Sequence, residues 1–228
     1  MSEILDKDDE KRHDIYVHLH VGLSRMEKQF EITMKQNPEA VYIMWIRRIL
    51  SDAIMLPLSE NGIFDYDHNL LHDRLWTLKQ SLDWAFLSVL SGAYVVALRN
   101  LRAAFEDIIQ AIYIDQIMPA ADVDAKFDAI KILEDCRLRG TKLIEKCEMP
   151  STIQQSLTRL YQQLSGIVHP SQEVIDLFAM RGGFAFSYDE TKFDECLRIH
   201  MKVFDINVAL RTKSFNSLII DVDQTLDF

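Results

Sequence analysis

Arg102 and Glu106 stand four residues apart in Leu101-Arg102-Ala103-Ala104-Phe105-Glu106. On a helix, that spacing puts the two side chains in touch on one face. Around them Tyr94, Leu98, Leu101, Phe105, Ile108 and Ile112 recur at steps of three and four, the period of an amphipathic helix. Arg102 falls roughly 80° from the centre of that apolar stripe, so it sits between core and solvent. A guanidinium held there by a carboxylate can meet an anion at the edge of a pocket. The plainer reading is a boundary ion pair contributing roughly 0.3 kcal/mol.

The second group is Tyr161-Gln162-Gln163-Leu164-Ser165-Gly166-Ile167-Val168-His169-Pro170-Ser171. Ile153, Leu157, Leu160, Leu164 and Ile167 form the buried stripe of a helix that ends at His169-Pro170, because the residue before proline disfavours the α region. A helix C-terminus favours imidazolium. His169 is therefore either a cap for free carbonyls or an acid/base and anion-binding group. Arg102, Glu106 and His169 are the candidate catalytic residues. Tyr161, Ser165 and Ser171 are the candidate substrate-binding residues.

Other constellations carry less. His68 and His72 share a helical face but lack a third ligand, so solvated polar residues at a helix start are expected and no metal site is assigned. His18 and His20, two apart, point away from each other. Trp45, Trp76 and Trp84 lie on apolar helices and are expected in the core. Cys136, Cys147 and Cys196 form no CxxC pair, and reduced thiols are expected. With no Gly-rich phosphate loop and no GxSxG, nucleotide hydrolysis and triad chemistry lack support. No cofactor is expected.

Helices must position these groups. Gly (7) and Pro (5) are too scarce in 228 residues for a turn-rich sheet protein. The pattern predicts an all-α bundle of about seven helices: 11–36, 38–55 (stopping near Pro57), 68–90, 93–117, 122–147 with an interruption at Gly140, 151–169, and 189–214. Asp65 or Asp67 is expected to cap the third. Residues 170–189, with Arg181-Gly182-Gly183 and the alternating Phe184–Tyr188, predict an irregular or hairpin insert. One domain spans 1–228: an N-terminal helix pair (1–58), a core bundle (68–215) and a tail (216–228).

A net charge of −10 opposes broad nucleic-acid binding, and DNA is not an expected partner. The apolar run from Trp84 to Leu98 is shorter than a membrane span and is predicted to be a buried core helix. No signal peptide is apparent. A soluble cytoplasmic protein with no membrane partner is expected.

The Arg-x-x-x-Glu helix followed by Leu164-Ser165-x-x-Val168-His169-Pro170-Ser171 resembles uncharacterised helical bacterial and archaeal proteins. Those in turn resemble the HEPN superfamily (higher eukaryote and prokaryote nucleotide-binding domains). The resemblance covers roughly residues 70–215. It implies a helical bundle, a homodimer, and RNA or nucleotide binding in defence or stress. Nuclease members carry an Arg four to six residues before a His near a helix end. Here Leu164 lies five before His169 and the nearest upstream arginine, Arg159, lies ten before. The resemblance thus bears on fold more than on RNA cleavage, and whether the protein is an enzyme stays open. Any cleavage would be metal-independent: His169 would move the ribose 2′-OH proton and Arg102 would stabilise the phosphorane. The alternative is a non-catalytic helical interaction or scaffold module acting as a homodimer.

Overall fold

The computed structural model describes residues 20–60, 70–168 and 188–211. These are overwhelmingly helical, with no strand among them. The order is α1 (20–36), α2 (Pro38–Glu60), α3 (Leu70–Asp73), α4 (Leu75–Leu90), α5 (Tyr94–Ile117), α6 (Val123–Asp135), α7 (Thr141–Ile144), α8 (Ser151–Val168) and α9 (Glu190–Arg211).

Most boundaries follow local chemistry. Pro38 opens α2, where its missing N–H costs nothing. The Asp122 carboxylate accepts the Ala125 N–H at 2.7 Å and starts α6. Asp189 does the same for Lys192 at 3.1 Å and starts α9. Gly92, at φ 73°, breaks the chain between α4 and α5, a left-handed turn that glycine adopts without strain.

Three boundaries depart from expectation. α2 continues through Pro57 to Glu60; a proline this close to a helix end forfeits one N–H bond without stopping the helix. The predicted helix over 122–147 is two, and the break begins before Gly140. Arg137 takes φ 53° and Leu138 N–H bonds the Leu133 carbonyl at 3.0 Å, a Schellman ending. Glycine is the usual residue at that left-handed position, so an arginine there hides the stop. The third helix is likewise split at Arg74. Its start is capped from elsewhere in the fold: the Asp115 carboxylate on α5 accepts the Leu70 and Leu71 N–H groups at 2.9 and 3.0 Å. Asp65 and Asp67, the expected caps, lie outside the described residues, as do most of the 170–189 insert and the 216–228 tail.

α5 is the central element. α4, α8 and α9 all pack on it. Ala97, Ala104 and Ala111, seven residues apart, are fully buried, a stripe of small side chains that lets neighbouring helices come close. Leu101, Phe105 and Ile108 are also fully buried beside them. A single apolar cluster runs from Val41 on α2 to Ile206 on α9. Lys126 is buried in it, with its ammonium 2.7 Å from Asp115. The same carboxylate therefore ties α3, α5 and α6 together.

The tryptophans correct the sequence reading. Trp45 is 51% exposed and Trp84 is 64% exposed; the Trp76 side chain lies outside the described residues. The 84–98 run is not one buried helix, because Gly92 divides it and each half keeps a solvent face that carries Trp84 and Leu87, or Val96. No helix among the described residues is long and apolar enough to cross a membrane.

Candidate functional site

α5 and α8 run antiparallel. At one end Gln116 and Glu148 exchange two hydrogen bonds of 2.8 Å, Gln116 Nε2 to the Glu148 carbonyl and Glu148 N–H to Gln116 Oε1. Toward the other end Arg102 meets Tyr161. This pairing brings three of the predicted residues into one cluster. Arg102 Nε donates to Glu106 Oε1 at 3.2 Å. Arg102 Nη2 donates to Tyr161 Oη at 3.2 Å, and the guanidinium carbon stands 5.4 Å from the centre of the Tyr161 ring.

Burial works against the charge on Arg102, but the Glu106 carboxylate and its hydrogen bond outweigh that cost. The guanidinium is held above its ordinary pKa and stays charged. Its side chain keeps 19% of its surface exposed. Of the five N–H donors on a guanidinium, two are engaged, and the other three have no partner among the described residues.

Tyr161 is positioned from two sides. Its ring packs on Phe105, with centroids 6.3 Å apart. Gly140 lies against it so closely that a Cβ there would stand 2.6 Å from the ring. Gly140 also takes φ 64° and ψ −135°, a conformation open essentially to glycine alone. Arg139, Glu106 and Gln110 edge the same depression, whose cavity of about 10 Å³ matches a single water. Ser165, one turn beyond Tyr161, has a buried Oγ with no hydrogen-bond partner among the described residues.

His169 and Ser171 lie outside the described residues. α8 is described to Val168, seven residues and about 10 Å of helical rise beyond Tyr161. Arg102 therefore meets α8 two turns before its end, and Glu106 and Tyr161 are what hold it. His68 is outside the described residues, and none of those described forms a group of three metal-ligating side chains. All three cysteines are free thiols. Burial pushes Cys147 and Cys196 up to about 12, so neither is a nucleophile at neutral pH.

Sequence reasoning missed a second group. His200 on α9 is 7% exposed and contacts a cavity lined by Arg47, Arg48, Lys79 and Asp83. A signal for it was present. Phe193, Cys196, Leu197, His200, Val203 and Phe204 follow the three-four period, which puts a histidine inside an apolar stripe. Arg139 had no such signal, since only the turn before α7 brings it to Tyr161. Compared with known proteins, the chain matches no family model, no curated protein and no solved structure.

Proposed function

We propose that the protein binds RNA or a nucleotide at the Arg102–Tyr161 edge of the bundle, as a HEPN-like helical module acting in defence or stress response. One observation carries the reading: a charged guanidinium fixed by Glu106 and Tyr161 with three donors unengaged among the described residues. Arginine in that state suits the forked oxygens of a phosphate. A half-buried tyrosine ring beside it suits a base, because stacking tolerates any sequence. Arg139 lines the depression that Tyr161 and Glu106 also line and brings a further positive charge to the Tyr161 ring. The net charge of −10 confines attraction to this local site and makes it salt-sensitive.

The test is fluorescence polarisation with a short single-stranded RNA and with nucleoside monophosphates, at two salt concentrations. Arg102→Ala and Tyr161→Ala each weaken binding by about tenfold, and affinity falls as salt rises. Binding unchanged in both variants overturns the reading. Incubating total RNA with wild type and with His169→Ala decides catalysis: cleavage by wild type alone makes His169 part of a nuclease site.

A second reading is a homodimeric interaction module. It is favoured by the exposed Tyr42, Trp45 and Ile49 on α2 and Trp84 and Leu87 on α4, helices joined by the 3.0 Å Arg48–Asp83 pair. Tryptophan, tyrosine and arginine are the residues that dominate protein interfaces. Sedimentation of wild type against Trp84→Glu tests it; a monomer in both cases removes this reading.

A further inference from the structure

Acidic side chains are missing from three stretches of this acidic chain. None occurs over residues 84–105, 136–144 or 149–168, and those stretches carry Arg99, Arg102, Arg137, Arg139, Lys142 and Arg159. The remainder holds 19 cations against 35 acids. The three stretches meet at Tyr161. Arg102 on α5 donates to its Oη at 3.2 Å, the Gly140 turn lies against its ring, and Tyr161 itself belongs to α8. Folding thus brings cations from separate stretches to one seam, in a molecule whose net charge of −10 would otherwise repel polyanions.

Along the seam three arginines stand in line. Arg99 lies one turn before Arg102 on the same face of α5, about 4.5 Å back along the axis. It is exposed and has no hydrogen bond or ion pair among the described residues. The antiparallel register, with Gln116 opposite Glu148 and Arg102 opposite Tyr161, sets Arg99 level with Leu164 and Ser165 of α8. In the other direction from Arg102, Arg139 shares a depression with Glu106, Gln110 and Tyr161. Arg139 too is exposed and unpaired among the described residues. Of the carboxylates bordering the line, Glu106 holds Arg102 at 3.2 Å and Asp107 lies 3.3 Å from Arg74. α8 adds none; its exposed Gln155, Arg159 and Gln162 supply hydrogen-bond donors instead. A single phosphate would meet Arg102 and leave Arg99 and Arg139 unused. A row of cations with an aromatic ring inside it suits a strand, whose phosphates recur along the backbone and whose bases stack.

We propose that the seam is a track for a single nucleic-acid strand, with Arg99, Arg102 and Arg139 each taking a phosphate, so that the ligand is an oligonucleotide and not a mononucleotide. The inference rests on the binding at Arg102 proposed above and narrows its ligand.

The experiment is fluorescence polarisation with the full chain and a labelled uridylate pentamer, over a series of salt concentrations, with unlabelled uridine monophosphate as competitor. The pentamer binds at least about tenfold tighter than the monophosphate. The logarithm of its affinity falls against the logarithm of salt with a slope of about −2, as for three phosphates on a single strand. Arg99→Gln and Arg139→Gln, both at exposed positions, each flatten that slope by about 0.7. Lys131→Gln, on the outward side of α6 with 74% of its side chain exposed, removes the same charge and leaves the slope unchanged. A deoxyuridylate pentamer that binds as well identifies a reader of the backbone alone; a weaker one identifies RNA. A pentamer no tighter than the monophosphate, with monophosphate binding lost in Arg102→Ala, overturns the track and leaves the Arg102 site standing. Slopes for Arg99→Gln and Arg139→Gln equal to that for Lys131→Gln also overturn it. Wild type that binds neither probe overturns both readings.

Discussion

Lowering the pH from 8 to 5 should destabilise this protein through His200 alone by about 2 kcal/mol. The imidazole is neutral in the fold, with its pKa pushed down to about 4, chiefly by burial. In the unfolded chain it returns to about 6.5. The folded value is the lower one, so below pH 6.5 the unfolded state binds the extra proton. Stability therefore falls as pH drops through 6.5, and the loss levels off once pH passes below 4. At about 1.4 kcal/mol per unit, the loss is about 2 kcal/mol at pH 5 and about 3 kcal/mol at pH 4. The assay is urea unfolding from pH 8 to 4.5 in phosphate-free buffers, wild type against His200→Leu. Leucine fills similar space, and the Leu82 carbonyl keeps its place in the hydrogen-bond ladder of α4. Carboxylates titrate in both proteins and cancel in the difference. The variant should lose less stability than wild type by the amounts given. Parallel curves down to pH 5 would refute a buried neutral His200.

Three further outcomes are expected. Asp115→Ala strips the N–H caps of Leu70 and Leu71 and removes the carboxylate 2.7 Å from the buried Lys126 ammonium; chemical unfolding should show a loss of about 3 kcal/mol, part of it recovered by adding Lys126→Met. Gly140→Ala forces a side chain into a left-handed position and against the Tyr161 ring, so a loss of about 2 kcal/mol is expected, with weaker RNA binding in the polarisation assay. In the native protein only the exposed Cys136 should react promptly with a thiol reagent, and Cys147 and Cys196 only after unfolding, given their burial and thiols pushed up to about 12.

Much of the scaffold was legible because helix signals are local. The stripe around Leu101 and Phe105, the stripe of α8, Pro38 and Asp122 each announce themselves within a few residues. The Arg102–Glu106 contact was legible for the same reason, being one turn of a single helix. Failures cluster where a local signal was atypical. Arg137 sits where glycine normally marks a helix end. Pro57 lies near enough to the end of α2 to be tolerated. Trp45 and Trp84 are large and apolar, yet their helices turn those positions outward.

The all-α character, the central apolar helix over 94–117 and the Arg102–Glu106 pair followed from composition and period alone, since backbone hydrogen bonding and burial act on neighbours in the chain. Packing alone decided the rest. It brought Tyr161 to Arg102 across 59 residues, Asp115 to the start of α3 across 45, and Arg47, Lys79 and His200 to one cavity. Those meetings depend on how three helix faces settle around α5, and the period of any one helix carries no record of which residues will stand opposite it.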